Sequence, residues 1–384
     1  MTFRLGLAAL FAASTGIAVP AAPTPLAVPG SSARAPYDAA PAPGVSITIT
    51  LDPAAARGIL DLLSAPQFDA DAAKALEALP AVAAALRDSK RPPEVFEHDL
   101  AVAFDEKARP TIFDFRAIRE DRGRWKDLLA VIVGRDAELT KLASDRARAL
   151  MPADRPVTVT EAISLTFGLP GRADHIAVPE PGGASWSIVI DLARALSDVQ
   201  SSPAAEQIKR LSRLMAAEAY QRAWAEYRAH SPAWHERDAS LGHLEPLLRK
   251  VAEAGPVAIY SVDENFFPLA VWLKRPMKDD LDELNRVADR LVSSAGDLDA
   301  RMTLAAEIQK PDFTAGVAGP AGTFLSDGII QALGVDAYRA ALAGGPREFF
   351  EAYERASQRK GSGLVPLGKA IRAQLAGAAA PGKS

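Results

Sequence analysis

The spacing of apolar and polar residues divides the chain into two helical parts separated by a short β part. Apolar side chains recur at helical spacing through residues 52–150 and again through residues 244–355. Residues 156–191 instead alternate apolar and polar side chains, as do residues 45–51, which is typical of strands with one buried face. The pattern predicts an α+β, mainly helical fold with a small, mostly antiparallel sheet.

One long helix, predicted over residues 202–228, follows the sheet and is the centre of the functional argument. Glu218 lies in its middle, and Leu211, Leu214 and Met215 precede it by seven, four and three positions. The carboxylate therefore projects from an apolar side of the helix. A buried carboxylate is costly unless it has a partner or a function, so Glu218 is a candidate site residue.

The N-terminus has the layout of a secretory signal peptide. Arg4 precedes an apolar run over residues 5–19, and small residues around Ala21 suit a cleavage site. We expect residues 1–21 to be removed and the protein to be exported to the periplasm or the extracellular space. An uncleaved membrane anchor is the alternative, although the run is short for a membrane span.

The segments that flank the predicted domain have little core-forming sequence. Residues 22–44 are rich in Ala and Pro and are predicted to form a disordered leader. Residues 45–355 are predicted to form one folded domain, and residues 356–384 a C-terminal tail.

The composition excludes several kinds of binding partner and functional site. The 384-residue chain has a net charge of −4 and 48% hydrophobic residues, so it can bury a large core but has no general basic surface for nucleic acid. It has no cysteine, which excludes disulfides, thiolate zinc sites, a cysteine nucleophile and a lipoprotein anchor. No stable membrane insertion is expected after signal cleavage.

The central helix carries the frame of a zinc-peptidase motif in which both histidines are replaced. Residues 217–221 read A-E-A-Y-Q where the motif reads H-E-x-x-H. In the intact motif the two histidines bind zinc and the glutamate takes a proton from the metal-bound water. Ala217 has no ligand atom and Gln221 has only a neutral amide, which suits zinc poorly. The simpler interpretation is a solvated helix pair between Glu218 and Arg222.

A second similarity lies in the C-terminal part. The residues that carry it are Gly322, Leu325, Ser326, Ile329, Leu333, Gly334, Tyr338, Leu342, Gly345, Pro346, Phe349, Phe350 and Tyr353. Their spacing resembles the C-terminal segment of a bacterial family of predicted zinc-dependent peptidases of the gluzincin type. The resemblance implies a zincin-like fold in which a sheet precedes the active-site helix.

The resemblance also implies a site, which this chain fills incompletely. Glu218 falls at the position of the general base, and Ala217 and Gln221 fall at two ligand positions. The third ligand of such peptidases is a glutamate, for which either Glu253 is displaced by one residue or Ala254 is a replacement. We therefore expect no bound zinc, no cofactor and a vestigial base.

Three functions remain open from the sequence. The first is an exported pseudopeptidase that binds a peptide or protein in the old cleft without cutting it. The second is an active metallopeptidase with a rearranged zinc site, built from His230, His235 or His243 with Glu218 or Glu253. The third is a non-enzymatic exported helical protein with a binding or structural role.

Overall fold

The computed structural model describes residues 35–105, 107, 109, 111–171, 173–180 and 186–377. The predicted signal peptide and residues 22–34 of the predicted leader lie outside this part of the chain. The strands are β1 (Val45–Asp52), β2 (Val157–Thr166), β3 (His175–Pro179) and β4 (Trp186–Asp191).

The helices of the first helical part are α1 (Ala54–Leu63), α2 (Ala70–Glu77), α3 (Pro80–Ser89), α4 (Pro93–Val102), α5 (Phe115–Glu120), α6 (Arg122–Gly134) and α7 (Asp136–Ala149). After the sheet follow α8 (Leu192–Ala195), α9 (Ala204–His230), α10 (Pro232–His235), α11 (Glu245–Ala258), α12 (Val271–Ser293), α13 (Leu298–Ile308), α14 (Pro311–Phe313), α15 (Gly319–Leu333), α16 (Val335–Ala343), α17 (Gly345–Ser357) and α18 (Lys369–Gly377). The predicted mainly helical α+β fold is confirmed.

The four strands form one sheet in the order β1-β2-β4-β3. The sheet is mixed, because β2 and β4 run parallel, with Ile163 opposite Ile188, whereas β3 runs antiparallel to β4. The prediction of a mostly antiparallel sheet did not anticipate the parallel pair. Alternating sequence shows that one face of a strand is buried, but it does not fix the direction of the neighbouring strand.

The chain forms two compact units, where the sequence predicted a single domain. One unit consists of Ile47–Asp145 and Val159–Ala219, and it holds α1 to α6, most of the sheet and the first half of α9. Aromatic side chains fill part of its core: Trp125 packs edge-on against Phe167, with ring centroids 5.5 Å apart.

The other unit consists of the described parts of Met1–Ser46, Arg146–Thr158 and Tyr220–Ser384. Its helices α11 and α15 approach closely at two glycines. A Cβ atom added to Gly255 would lie 2.5 Å from the backbone of Gly322, so neither position has room for a side chain. Gly322 belongs to the C-terminal pattern described above, and its role in the fold is this close helix contact.

Two predictions about the ends of the domain are wrong. Residues 35–44 were assigned to a disordered leader, but Tyr37 is fully buried and donates a hydrogen bond of 3.1 Å to the Val262 carbonyl. Residues 356–384 were assigned to a tail, but α18 buries Ile371 and Leu375. In both segments a few large side chains bury enough apolar surface to order a stretch whose average composition is unremarkable.

Two helices continue through a proline inside their length. Helix α11 runs past Gly255 and Pro256 to Ala258, and α12 runs through Pro276. A proline removes one backbone hydrogen bond of a helix, and packing against neighbouring helices compensates for that loss here. Within the described ranges, no helix has the length and apolar character needed to cross a membrane.

Candidate functional site

Glu218 is buried and forms an ion pair that the sequence did not predict. Only 8% of its surface is exposed, which excludes the solvated helix pair with Arg222 as the account of this carboxylate. Its Oε1 atom lies 2.9 Å from Nε2 of His175, within the same unit. Met215 and Leu211, one and two turns earlier on α9, are also buried, as the apolar pattern around Glu218 predicted.

His175 is held between two carboxylates. Its Nδ1 atom lies 2.7 Å from Oδ1 of Asp174, and its Nε2 atom faces Glu218. Both ring nitrogens are therefore at hydrogen-bond distance from a carboxylate oxygen. The ring is positioned by the sheet, because His175 is the first residue of β3 and lies opposite Ile190 of β4.

The turn before β3 is fixed by a second group of polar contacts. The backbone N–H of Asp191 donates to the Asp174 carbonyl at 2.9 Å, and the Asp191 carboxylate accepts from the Leu169 N–H at 2.7 Å. Arg194 donates to the carbonyl of Ala173 at 3.3 Å. Burial raises the pKa of Asp191, although these backbone donors and Arg194 oppose that effect. The turn thereby places Asp174 and His175 in front of α9.

The two carboxylates control the charge of His175. Burial alone would lower the pKa of His175, but the negative charge of Glu218 and hydrogen bonds to both carboxylates raise it from 6.5 to about 10. Burial likewise would raise the pKa of Asp174, but the hydrogen bond and charge of His175 lower it. At neutral pH the group consists of one imidazolium between two carboxylates.

The two replaced ligand positions do not supply a zinc site. Ala217 and Gln221 are both half-buried on α9; Ala217 belongs to the unit of Glu218 and Gln221 to the other unit. A methyl group has no donor atom, and a neutral amide is a weak ligand for zinc. His175 cannot replace them in its protonated form, since a histidine ligand must be neutral.

The two residues considered for the third ligand position, Glu253 and Ala254, do not supply a zinc ligand either. The Glu253 carboxylate accepts a contact of 2.7 Å from Arg228, and its backbone carbonyl accepts a hydrogen bond from the indole of Trp224. Ala254 is half-buried and, like Ala217, has no ligand atom. Glu218 and Glu253 therefore have different cationic partners, His175 and Arg228.

The histidines considered for a rearranged zinc site lie on separate segments of the chain. His230, His235 and His243 are exposed, and they lie on three successive short or terminal segments. His230 contacts Glu226 on its own helix, and His243 contacts Arg301. Among the described residues, no three His, Cys, Asp or Glu side chains converge as a metal would require. Zinc therefore does not fit the described residues at the predicted positions.

His175 is the site residue that the sequence reasoning missed. It is 43 positions from Glu218 by sequence number, and its strand is separated from α9 by another strand and two short helical segments. The sequence held only an indirect indication of this pairing. An acid on an apolar helix face requires a cationic partner. The strand β3, which directly follows Asp174, begins with a histidine.

Comparison of the chain with models of protein families, with characterised proteins and with solved structures finds no match. The resemblance to gluzincin-type peptidases accordingly stays a prediction from the sequence.

Proposed function

We propose that the chain is an exported, metallopeptidase-like protein that lacks catalytic activity and binds a peptide or protein segment. The observation that carries this proposal is the ion pair of Glu218 with His175 at 2.9 Å. A glutamate that acts as general base in a zinc peptidase must face a metal-bound water. The Glu218 carboxylate instead faces a fixed imidazolium.

The charge of the site argues against hydrolysis by this route. A general base must take up a proton, but protonation of Glu218 would leave the half-buried His175 cation with one carboxylate fewer. The residues at the ligand positions cannot bring a metal to the same place. With no metal to lower the pKa of water, a carboxylate alone does not produce hydroxide at neutral pH.

The binding role rests on the resemblance and on how the group is built. The fold keeps the buried Glu218 carboxylate on the central helix. His175 contacts this carboxylate, and Asp174 and the turn before β3 hold His175 in place. The resemblance to gluzincin-type peptidases implies a cleft that takes a peptide or protein. We infer that a peptide or protein segment is the ligand and that export brings the protein to it outside the cytoplasm.

The proposal is tested with fluorescein-labelled casein, an unfolded protein substrate, in zinc-containing buffer. We expect the anisotropy of the label to rise on binding while electrophoresis shows intact casein, with the same result for the Glu218→Gln variant. Cleavage that disappears in Glu218→Gln would instead identify an active hydrolase. A failure to bind would remove the peptide-binding part of the proposal and leave the loss of catalysis standing.

A further inference from the structure

With both acids present as carboxylates, the Asp174–His175–Glu218 group has a geometry that only a doubly protonated ring satisfies. The two nitrogens of the ring lie at opposite edges, and each is within 2.9 Å of a carboxylate oxygen. A neutral imidazole has one N–H donor, so its other nitrogen would direct a lone pair at a carboxylate. An imidazolium donates from both nitrogens and removes this repulsion.

We propose that His175 is a positioning residue that takes the place of a metal as the permanent cation beside Glu218. This inference rests on the proposed loss of the metal and explains why the glutamate persists without it. The cation is part of the chain, so the arrangement of β3 and α9 around it does not depend on metal supply.

The surroundings favour a cation that is fixed and not exchangeable. His175 lies in a strand that is hydrogen-bonded to β4, and the turn before it is braced by Asp191 and Arg194. The charged groups that act on its ring are Asp174 from its own segment and Glu218 from α9. The group has two negative charges and one positive charge. Loss of the proton from His175 would leave the two negative charges without a cation and is therefore disfavoured.

The test removes the imidazole ring by mutation and then adds imidazole to the solution. In the full chain, His175→Ala should lower the thermal unfolding midpoint, and added imidazole at slightly acidic pH should restore it. When imidazole is present at about ten times its Kd, the ratio of folded to unfolded variant should rise about tenfold. Pyrazole has the same shape but stays neutral, and it should give no restoration. The exposed-histidine variant His230→Ala should respond to neither compound.

Equal restoration by pyrazole would show that the site recognises shape and not charge, and would overturn the inference. If His175→Ala does not fold, NMR of the ring nitrogens in the wild-type protein decides the question. The resonances that His175→Gln removes should be those of a doubly protonated ring up to about pH 9, and a neutral ring at pH 8 would overturn the inference. Both arms are independent of peptide binding and of casein cleavage, so the two proposals can fail separately.

Discussion

The free energy of unfolding should fall as the pH rises above neutrality, because His175 loses its proton. The perturbation is His175→Gln, which keeps a polar side chain of similar reach but cannot bind the extra proton. The matched control is His230→Gln, because the His230 side chain is 70% exposed at the end of α9. We expect the pH dependence of stability to change in the first variant and to be unaltered in the second.

The magnitude follows from the two protonation equilibria. The pKa of His175 is raised from 6.5 to about 10 in the folded chain. At ~1.4 kcal/mol for each pH unit, this corresponds to a contribution of about 5 kcal/mol to the free energy of unfolding. Because the folded-state pKa is the raised one, the contribution is complete below pH 6.5. Above that pH the folded state holds more protons than the unfolded state, so stability falls by ~1.4 kcal/mol per pH unit until the pKa near 10 is passed.

The assay is urea unfolding followed by circular dichroism at a series of pH values between neutrality and the folded-state pKa. The difference in unfolding free energy between wild type and His175→Gln should be largest at the neutral end and shrink as the pH rises. At neutral pH the variant should lose about 3–5 kcal/mol, because a buried and a half-buried carboxylate are left without their cation. An equal loss at every pH would refute the argument, since it would show that His175 acts through packing and not through its charge.

The remaining predictions concern the same pair and the packing of the other unit. Glu218→Gln should cost about 2–4 kcal/mol, measured by urea unfolding, because it removes one of the two charges that stabilise the His175 cation. Gly255→Ala should cost about 2–4 kcal/mol, because its Cβ would meet the backbone of the facing helix at 2.5 Å. Gly123→Ala is its control, since nothing lies within 4 Å of an added Cβ there and helix propensity favours alanine by up to about 1 kcal/mol. Tyr37→Phe should cost about 1–2 kcal/mol through the lost hydrogen bond to a buried carbonyl, and no change in the urea midpoint would mean that this hydrogen bond does not stabilise the fold.

Local periodicity was sufficient to predict most elements of the fold. The first helical part, the strands and the central helix α9 all follow from the spacing of apolar residues, because that spacing records which face of each element is buried. Features that depend on other parts of the chain were not predictable in this way. Helix α11 passes through Pro256 because of its contact with α15, and Tyr37 is ordered by a partner 225 residues away.

In the candidate site, too, local features were predictable from the sequence and tertiary ones were not. The position of Glu218 on an apolar helix face is a local property, so its burial was predictable from its neighbours on α9. The identity of its partner depends on which strand lies in front of the helix and on how a turn orients Asp174 and His175. That information is tertiary. The histidines that the sequence offered for a rearranged zinc site, such as His235, are exposed instead.

The most direct test of the account is the zinc content of the purified full chain. Protein produced in zinc-containing medium and passed over a desalting column should carry well under one equivalent of zinc, and treatment with a chelator should leave its unfolding midpoint unchanged. One tightly bound equivalent, whose removal destabilises the protein, would contradict the claim that an imidazolium and not a metal neutralises Glu218.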